Sequence, residues 1–311
     1  MSLAIETCAW VSPSLLRHDH EATEQPTRSQ WIPLGQVGIG VNDVGFRQSA
    51  VAVERLRTYD GSVLELNPHL VRYRRTLDFL GIDLDIDEAV IAHRIGELID
   101  RNNDWCRAEK DFGITMLATP GDFLSGSYPD PLHIIHLNPI DHLKIEQHKT
   151  NGQPLVVTSV RQPAAECWPR DIKVRCRLHY YWADRQARQF ASNAIGVLVD
   201  SDGSITETSV ANLAIVVDGE IVSPPSKQVL PGITQDLAQR IASAHGITWR
   251  NETIYPAELR SADEVILMGT DGGIWFANRV DGHSIRDGRP GDIYQRLANG
   301  FDRHARQHSS Q

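Results

Sequence analysis

Cysteine is scarce in this chain. The four that occur, Cys8, Cys106, Cys167 and Cys176, contain no CxxC pair, and 311 residues is far too long for a disulfide scaffold. Free thiols in a reducing compartment are the expectation. Long apolar runs are also missing: no stretch of about 18 apolar residues occurs, so no segment reads as a membrane span. At the N-terminus Glu6 stands where a signal peptide would carry positive charge, and no long apolar region follows. The expected location is the cytoplasm. Basic excess is absent too. With 31 Lys and Arg against 40 Asp and Glu the formal net charge is -9, which leaves no electrostatic footprint for nucleic acid or anionic lipid. A small anionic substrate remains compatible, because a local pocket can be positive inside a negative protein. What is present is 41% hydrophobic content, enough core for one large domain or two modest ones.

Periodicity then gives an element map. Residues 1–30 are polar and Pro/Ser-containing apart from a short apolar patch at Trp10, and read as an irregular lead-in. Residues 39–41 and 51–59 read as strands, and Asp60-Gly61 turns the second into a strand over 63–66. A helix follows, with Asn67 as N-cap, Pro68 in its first turn and Gly81 as its stop; Leu70, Tyr73, Leu77 and Leu80 share one face. A second helix spans 87–102 with Ile91, Ile95 and Leu98 inward, and strands follow at 113–118 and 132–137. Residues 138–155 are polar with little periodicity and read as a linker. Beyond it a strand leads to Lys173 and a helix covers 178–194. Asp202-Gly203 and Asp218-Gly219 mark two successive hairpins. Ile233, Leu237, Ile241 and Ala244 mark a helix closed by Gly246, and a strand follows at 265–268. Strands dominate both halves, so the fold class is α+β. The expected division is an irregular segment over 1–30, a smaller α+β domain over 31–140, a linker over 141–155, a larger α+β domain over 156–301 and a loose tail over 302–311.

Several motifs fail their context tests. Gly38-Ile39-Gly40 opens like a dinucleotide fingerprint, but Asp43 stands at the third glycine and no helix start is expected after it. His18-Asp19-His20 lies in the irregular lead-in. His133 and His136, three apart in a strand, point to opposite faces and read as packed histidines. No metal site is expected. No GxSxG elbow, HExxH or Walker loop occurs.

Four segments make chemical sense together. Lys173 lies in "RDIKVRCRLHYYWADRQA", Glu207 in "DGSITETSVANLAIV", Gly232-Ile233-Thr234 in "VLPGITQDLAQRIA", and Gly269-Thr270 in "EVILMGTDGGI". They fit a phosphate-bearing aldehyde cofactor: a lysine for a Schiff base, a carboxylate for a pyridinium nitrogen, and helix-start amides with threonine hydroxyls for a phosphate. Taken singly each has a plain alternative: a surface lysine, a solvated strand glutamate, an ordinary helix start.

In order and spacing these segments resemble the class IV aminotransferase family, which comprises the branched-chain and D-amino-acid aminotransferases and aminodeoxychorismate lyase. The resemblance is most specific over 170–282. It extends more weakly to 41–82, where Asp43, Gly45, Glu54, Tyr59, Gly61, His69 and Arg72 stand at matching places. It implies a two-domain α+β fold with pyridoxal 5′-phosphate (PLP) in the cleft between domains, and a homodimer. By the same resemblance, Lys173 would be the Schiff-base lysine and proton carrier, and Glu207 the partner of the pyridine nitrogen. Arg72, Ile233, Thr234 and Thr270 would hold the phosphate, and the amides of Asp271 and Gly272 would meet a substrate carboxylate.

The chain departs from the family on the substrate side. Relatives usually read Gly-Asp-Gly-aromatic before Glu54; here Val53 replaces the aromatic wall. Gly273 replaces a glutamate or alanine after the "GT" turn, Asp271 adds a negative charge, and Leu178 replaces a tyrosine five residues after the lysine. The resemblance implies an aminotransferase that moves an amino group between an amino acid, with branched-chain and other apolar ones the leading candidates, and a 2-oxo acid. The alternatives are a PLP lyase like aminodeoxychorismate lyase and a non-catalytic PLP-binding relative.

Overall fold

The chain folds into two α+β units in a computed structural model that describes residues 6–12, 29–125 and 131–308. Unit 1 runs to Ile140 and takes back Ile172–Cys176; unit 2 comprises Asp141–Asp171 and the chain from Arg177 onward.

Unit 1 contains β1 (Cys8–Val11), β2 (Gln30–Pro33), α1 (Val44–Gln48), β3 (Ala52–Tyr59), β4 (Ser62–Val63), α2 (Leu66–Leu80), α3 (Glu88–Arg101), α4 (Asn103–Glu109), β5 (Phe112–Thr119) and β6 (Leu132–Pro139). The sheet order is β2-β1-β6-β5-β3-β4, with every neighbouring pair antiparallel. Side chains alternate across a strand, so Ala52, Glu54 and Leu56 share one face of β3. That face is covered by α2 and α3 through Leu70, Tyr73, Leu77, Ile91, Ile95 and Leu98. Val53 lies on the opposite face, paired in register with Leu117.

Several expectations for this unit need correction. The lead-in is not irregular throughout: β1 is a strand with Trp10 buried, paired with both β2 and β6. Its histidine pair, His18 and His20, lies outside the described residues. Residues 39–41 form no strand. A helix start does follow Gly38-Ile39-Gly40, because Asp43 caps α1 by accepting from the Gly45 amide at 2.6 Å. That helix has five residues and no strand runs into the glycine pair that precedes it, so the dinucleotide reading gains nothing. The expected strand at 63–66 is only the two residues of β4, and α2 begins at Leu66 after Glu65 in the left-handed region (φ 53°). Asn67 is therefore inside the helix. Pro68 is tolerated there, because the first helical turn has no intrahelical use for its missing N–H. The Gly81 stop is found, at φ 65°. So is α3, capped by Asp87, whose carboxylate accepts from the Val90 amide.

Unit 2 contains α5 (His142–Asn151), β7 (Gln153–Arg161), α6 (Leu178–Ala187), β8 (Ile195–Val199), β9 (Ile205–Thr208), β10 (Asn212–Val217), β11 (Glu220–Ser223), α7 (Ile233–Ala244), β12 (Trp249–Asn251), α8 (Pro256–Ser261), β13 (Glu264–Gly269), β14 (Gly273–Val280), β15 (His283–Ser284) and α9 (Asp292–His308). Its sheet runs β12-β11-β10-β13-β14-β7-β8-β9, with β15 on β14. Both Asp-Gly hairpins occur where expected. The 141–155 linker does not: Asp141 caps α5 by accepting from the Lys144 amide, and Gln153 opens β7. α5 buries no residue along its length, so it has no apolar period to read. α6 stops at Ala187 rather than 194. No strand leads into Lys173, since β7 ends at Arg161. As far as His308 the expected loose tail is helical instead. α9 continues to His308 and buries Phe301 and Ala305.

Candidate functional site

In unit 1 the fixed point is Glu54. The alternation of β3 aims it at the helix-covered face, where an unpaired charge would be costly. α2 answers with His69 and Arg72, three residues apart on one helical face. Arg72 Nε donates to Glu54 Oε2 at 2.9 Å and Arg72 Nη2 to Glu54 Oε1 at 2.7 Å; His69 Nδ1 lies 2.9 Å from Oε1. All three are buried. Burial alone would push the Glu54 carboxyl up, but the Arg72 charge and the hydrogen bonds from His69 and Arg72 outweigh it and hold it well below the usual carboxylate range. Burial pushes the His69 imidazole down against the pull of Glu54, so His69 is a neutral donor.

Lys173 belongs to this unit. Its amide donates to Thr76 Oγ1 at 3.0 Å, and its carbonyl accepts from the Val53 amide at 3.0 Å. The Arg175 amide donates to Val51 O, and Val174 bridges Ala52. The lysine segment is thus laid along the start of β3 and tied to α2, with its backbone fixed on both sides of Lys173. The side chain is half-buried. Val53 is buried on the other face of the strand.

In unit 2 the fixed point is Glu207, buried at the end of β9. Its Oε1 accepts from the Tyr180 hydroxyl at 2.5 Å and Gln162 Nε2 at 3.1 Å. Its Oε2 accepts from Asn212 Nδ2 at 3.2 Å and the Leu230 amide at 3.1 Å. Asn212 also donates to Leu230 O at 2.8 Å. Two glycines bring the remaining segments against this one. A Cβ on Gly232 would lie 1.9 Å from Asn212 Oδ1, and a Cβ on Gly269 would lie 2.4 Å from the Val210 carbonyl oxygen, so neither position accepts a side chain without displacement. Gly232 is the N-cap of α7 and offers no side-chain cap, so the first amides of that helix, Ile233 and Thr234 among them, have no capping oxygen. Thr270, Asp271 and Gly272 form the turn between β13 and β14, closed by the Gly269–Gly273 pair; Asp271 is exposed.

The structure therefore gathers the expected site residues into two sets. Arg72, Lys173 and Val53 lie in unit 1; Glu207, Ile233, Thr234, Thr270, Asp271 and Gly272 lie in unit 2. The chemistry of both sets fits PLP. There is a lysine on a rigid backbone, a buried carboxylate surrounded by donors, and an uncapped helix start beside a glycine turn, which is anion-binding geometry. Sequence reasoning missed Tyr180 and Gln162, and left Asn212 in its motif without a role. Asn212 was findable as the polar residue five positions after Glu207 in "DGSITETSVANLAIV". Tyr180 and Gln162 carry no local signal, since tertiary packing alone brings them to Glu207. Arg74 pairs with Glu88 at 3.0 Å and ties α2 to α3. His133 is a packed core histidine between Trp10 and Tyr73. Among the described residues, no group of three or more His, Cys, Asp or Glu is placed to hold a metal, and no helix is long and apolar enough to cross a membrane.

Comparison with known proteins bears on both sets. The family model for amino-transferase class IV matches residues 52–280. A D-alanine aminotransferase of Staphylococcus aureus (strain MW2) is 27% identical over 291 residues, covering 90% of this chain and 97% of that protein. Among solved structures, the branched-chain amino acid aminotransferase of Escherichia coli superposes with TM-score 0.82 at 21% identity, covering 94% of this chain and 93% of that one. The branched-chain amino acid aminotransferase of Thermobaculum terrenum, solved in its PLP-form, superposes with TM-score 0.81 at 18% identity, covering 97% and 95%.

Proposed function

This chain belongs to the class IV aminotransferase family, and from that premise we propose that it uses PLP, held through Lys173, with small apolar amino acids as the donors. It is an enzyme of amino-group transfer between an amino acid and a 2-oxo acid. The observation that carries the cofactor assignment is the convergence of three separate segments on residues 207–212, around a buried carboxylate with four hydrogen-bond donors. Bound PLP supplies an aldehyde carbon that condenses with amines and a pyridinium ring that withdraws electrons. Lys173 would hold PLP there and would carry the proton at the substrate Cα. Glu207 would accept a hydrogen bond from the ring nitrogen and keep that nitrogen charged. The Ile233 and Thr234 amides, the Thr270 hydroxyl and the Arg72 guanidinium would hold the phosphate, and Glu54 keeps Arg72 in place.

On the substrate side, the amides of Asp271 and Gly272 receive the carboxylate and Val53 leaves an apolar wall. D-Alanine heads the donor candidates, since it names the activity of the Staphylococcus aureus relative. Asp271 is exposed, so water screens its charge and its repulsion of acidic donors is weak. An elimination reaction of the lyase type is not favoured, because the relatives carry aminotransferase names. A homodimer is supported by the exposed apolar side chains on and after α6, namely Leu178, Tyr181, Trp182 and Phe190. A cytoplasmic location is supported by four free thiols.

The test is direct. The purified protein is expected to be yellow, and borohydride is expected to fix the cofactor on the peptide containing Lys173. Cofactor found on Lys144 or Lys149 instead would remove the assignment. D-Alanine, L-alanine, L-leucine and L-aspartate are then offered with pyruvate or 2-oxoglutarate as acceptor. A screen led by aspartate would overturn the apolar pocket, and Asp271→Ala is expected to raise acidic donors only a few-fold.

A further inference from the structure

We infer that Tyr180 is a positioning residue for Glu207, whose hydroxyl sets how much of that carboxylate's acceptor capacity reaches the ring nitrogen of the cofactor. The inference rests on the PLP reading above. A carboxylate offers about four lone-pair directions, and among the described residues at least four donors point at Glu207. Three of them are held in place. The Leu230 amide is backbone, at 3.1 Å. Asn212 is pinned by its second bond, to Leu230 O at 2.8 Å. Gln162 Nε2 is shared between Glu207 Oε1 at 3.1 Å and the Tyr180 oxygen at 3.3 Å.

The Tyr180 hydroxyl differs from the other three. Its hydrogen swings about the C–O bond without moving a heavy atom, so it alone can yield a lone pair of Glu207 while the protein stays still. It also makes the shortest of the four contacts, 2.5 Å, in the range of a charge-assisted O–H···O⁻ bond. The ring itself is fixed. The Arg177 guanidinium carbon sits 4.5 Å from its centroid, the His179 ring lies 4.0 Å away, and Arg177 donates to the Ser209 carbonyl next to the Glu207 turn. Burial, and then the Glu207 charge, push the Tyr180 phenol well above its ordinary value, so it remains a donor.

A donor this strong stabilises Glu207 as an anion and weakens it as a base. The ring-nitrogen proton is therefore shared less completely than with a bare carboxylate, and the ring is a milder electron sink. Tyr180 at once orients the carboxylate and moderates it.

The experiment uses holoenzyme carrying PLP labelled with 15N in the ring, whose chemical shift reports protonation of that nitrogen directly, without turnover. Tyr180→Phe keeps the ring packing and removes the hydroxyl; the expected shift is toward the fully protonated position. Gln162→Leu, which removes the second donor to Oε1, is expected to shift the signal the same way by less. Glu207→Gln is expected to shift it in the opposite direction. An unmoved signal in Tyr180→Phe, with a moved one in Glu207→Gln, overturns the inference and leaves the cofactor reading intact. An unmoved signal in Glu207→Gln, or wild-type protein that does not bind PLP, overturns that reading and the inference with it. Thermal unfolding of each variant identifies any that lost its fold, and in that case the Gln162→Leu signal decides.

Discussion

Glu54 shows how a single strand position constrains chemistry. It shares a face with Ala52 and Leu56, where only apolar neighbours would be expected, and its charge is accommodated because α2 places His69 and Arg72 opposite it. Removing one partner of a buried pair costs more than the pair itself stabilises, since the other charge is stranded. Glu54→Ala is therefore expected to destabilise the protein by about 3–5 kcal/mol in urea unfolding, and to weaken PLP binding by freeing Arg72. Arg72→Ala is expected to weaken PLP binding, with partial rescue by excess cofactor. Arg75→Ala, exposed on the same helix, is the control; Arg74 cannot serve, because it is engaged with Glu88. Loss of cofactor from Arg75→Ala but not from Arg72→Ala would show that the wrong face of α2 has been assigned. Lys173→Ala is expected to abolish both borohydride fixation and turnover while the far-UV circular dichroism stays unchanged.

Secondary-structure elements were legible where a period or a turn dipeptide marked them. α3 has Asp87 as its cap and Ile91, Ile95 and Leu98 at helical spacing, and the Asp202-Gly203 and Asp218-Gly219 hairpins have turn residues that tolerate positive φ. α5 was illegible because it buries nothing, whereas α9 carries a helical period in Tyr294, Leu297, Phe301 and Ala305 that the sequence reading passed over. The candidate site followed the same rule. Lys173, Glu207, Gly232-Ile233-Thr234 and Thr270 were readable from order and spacing, whereas Tyr180 and Gln162 meet Glu207 only through folding. Two measurements test the elements. Phe301 is buried on α9, so Phe301→Ala is expected to cost about 3–5 kcal/mol in urea unfolding; a loose tail would give no change. Gly232→Ala drives a methyl into Asn212 Oδ1 and is expected to lower PLP affinity. Gly203→Ala, whose Cβ meets open space at φ 82°, is expected to cost about 1 kcal/mol of stability and leave PLP affinity alone. Equal effects of the two on cofactor binding would detach the α7 start from the phosphate.

Over the whole molecule, acid sensitivity has an identifiable source. His133 lies between the rings of Trp10 and Tyr73, with centroids 5.1 and 5.8 Å away, and neither ring nitrogen has a hydrogen-bond partner among the described residues. Burial, with a smaller push from the Arg74 charge, lowers it from its ordinary 6.5 to about 3. Between those two values the unfolded chain takes up a proton that the folded one refuses, so stability falls as pH drops below 6.5 and goes on falling to about 3. At pH 5 the loss from this residue is about 2 kcal/mol. Glu54 acts in the same direction over a lower range: its contribution is complete above its ordinary 4.5 and is lost below it. His133→Phe is expected to flatten the change in urea midpoint between pH 7 and pH 5; an unchanged slope would place the acid sensitivity elsewhere. The return of Ile172–Cys176 to unit 1 carries a consequence of another kind, for the order of events during synthesis. Ribosomes build chains from the N-terminus and domains generally fold as they emerge, yet unit 1 stays one segment short until residues 141–171 of its neighbour have been made. The segment it waits for carries Lys173, so the nascent chain has no anchored lysine to offer a reactive aldehyde until translation is past its midpoint.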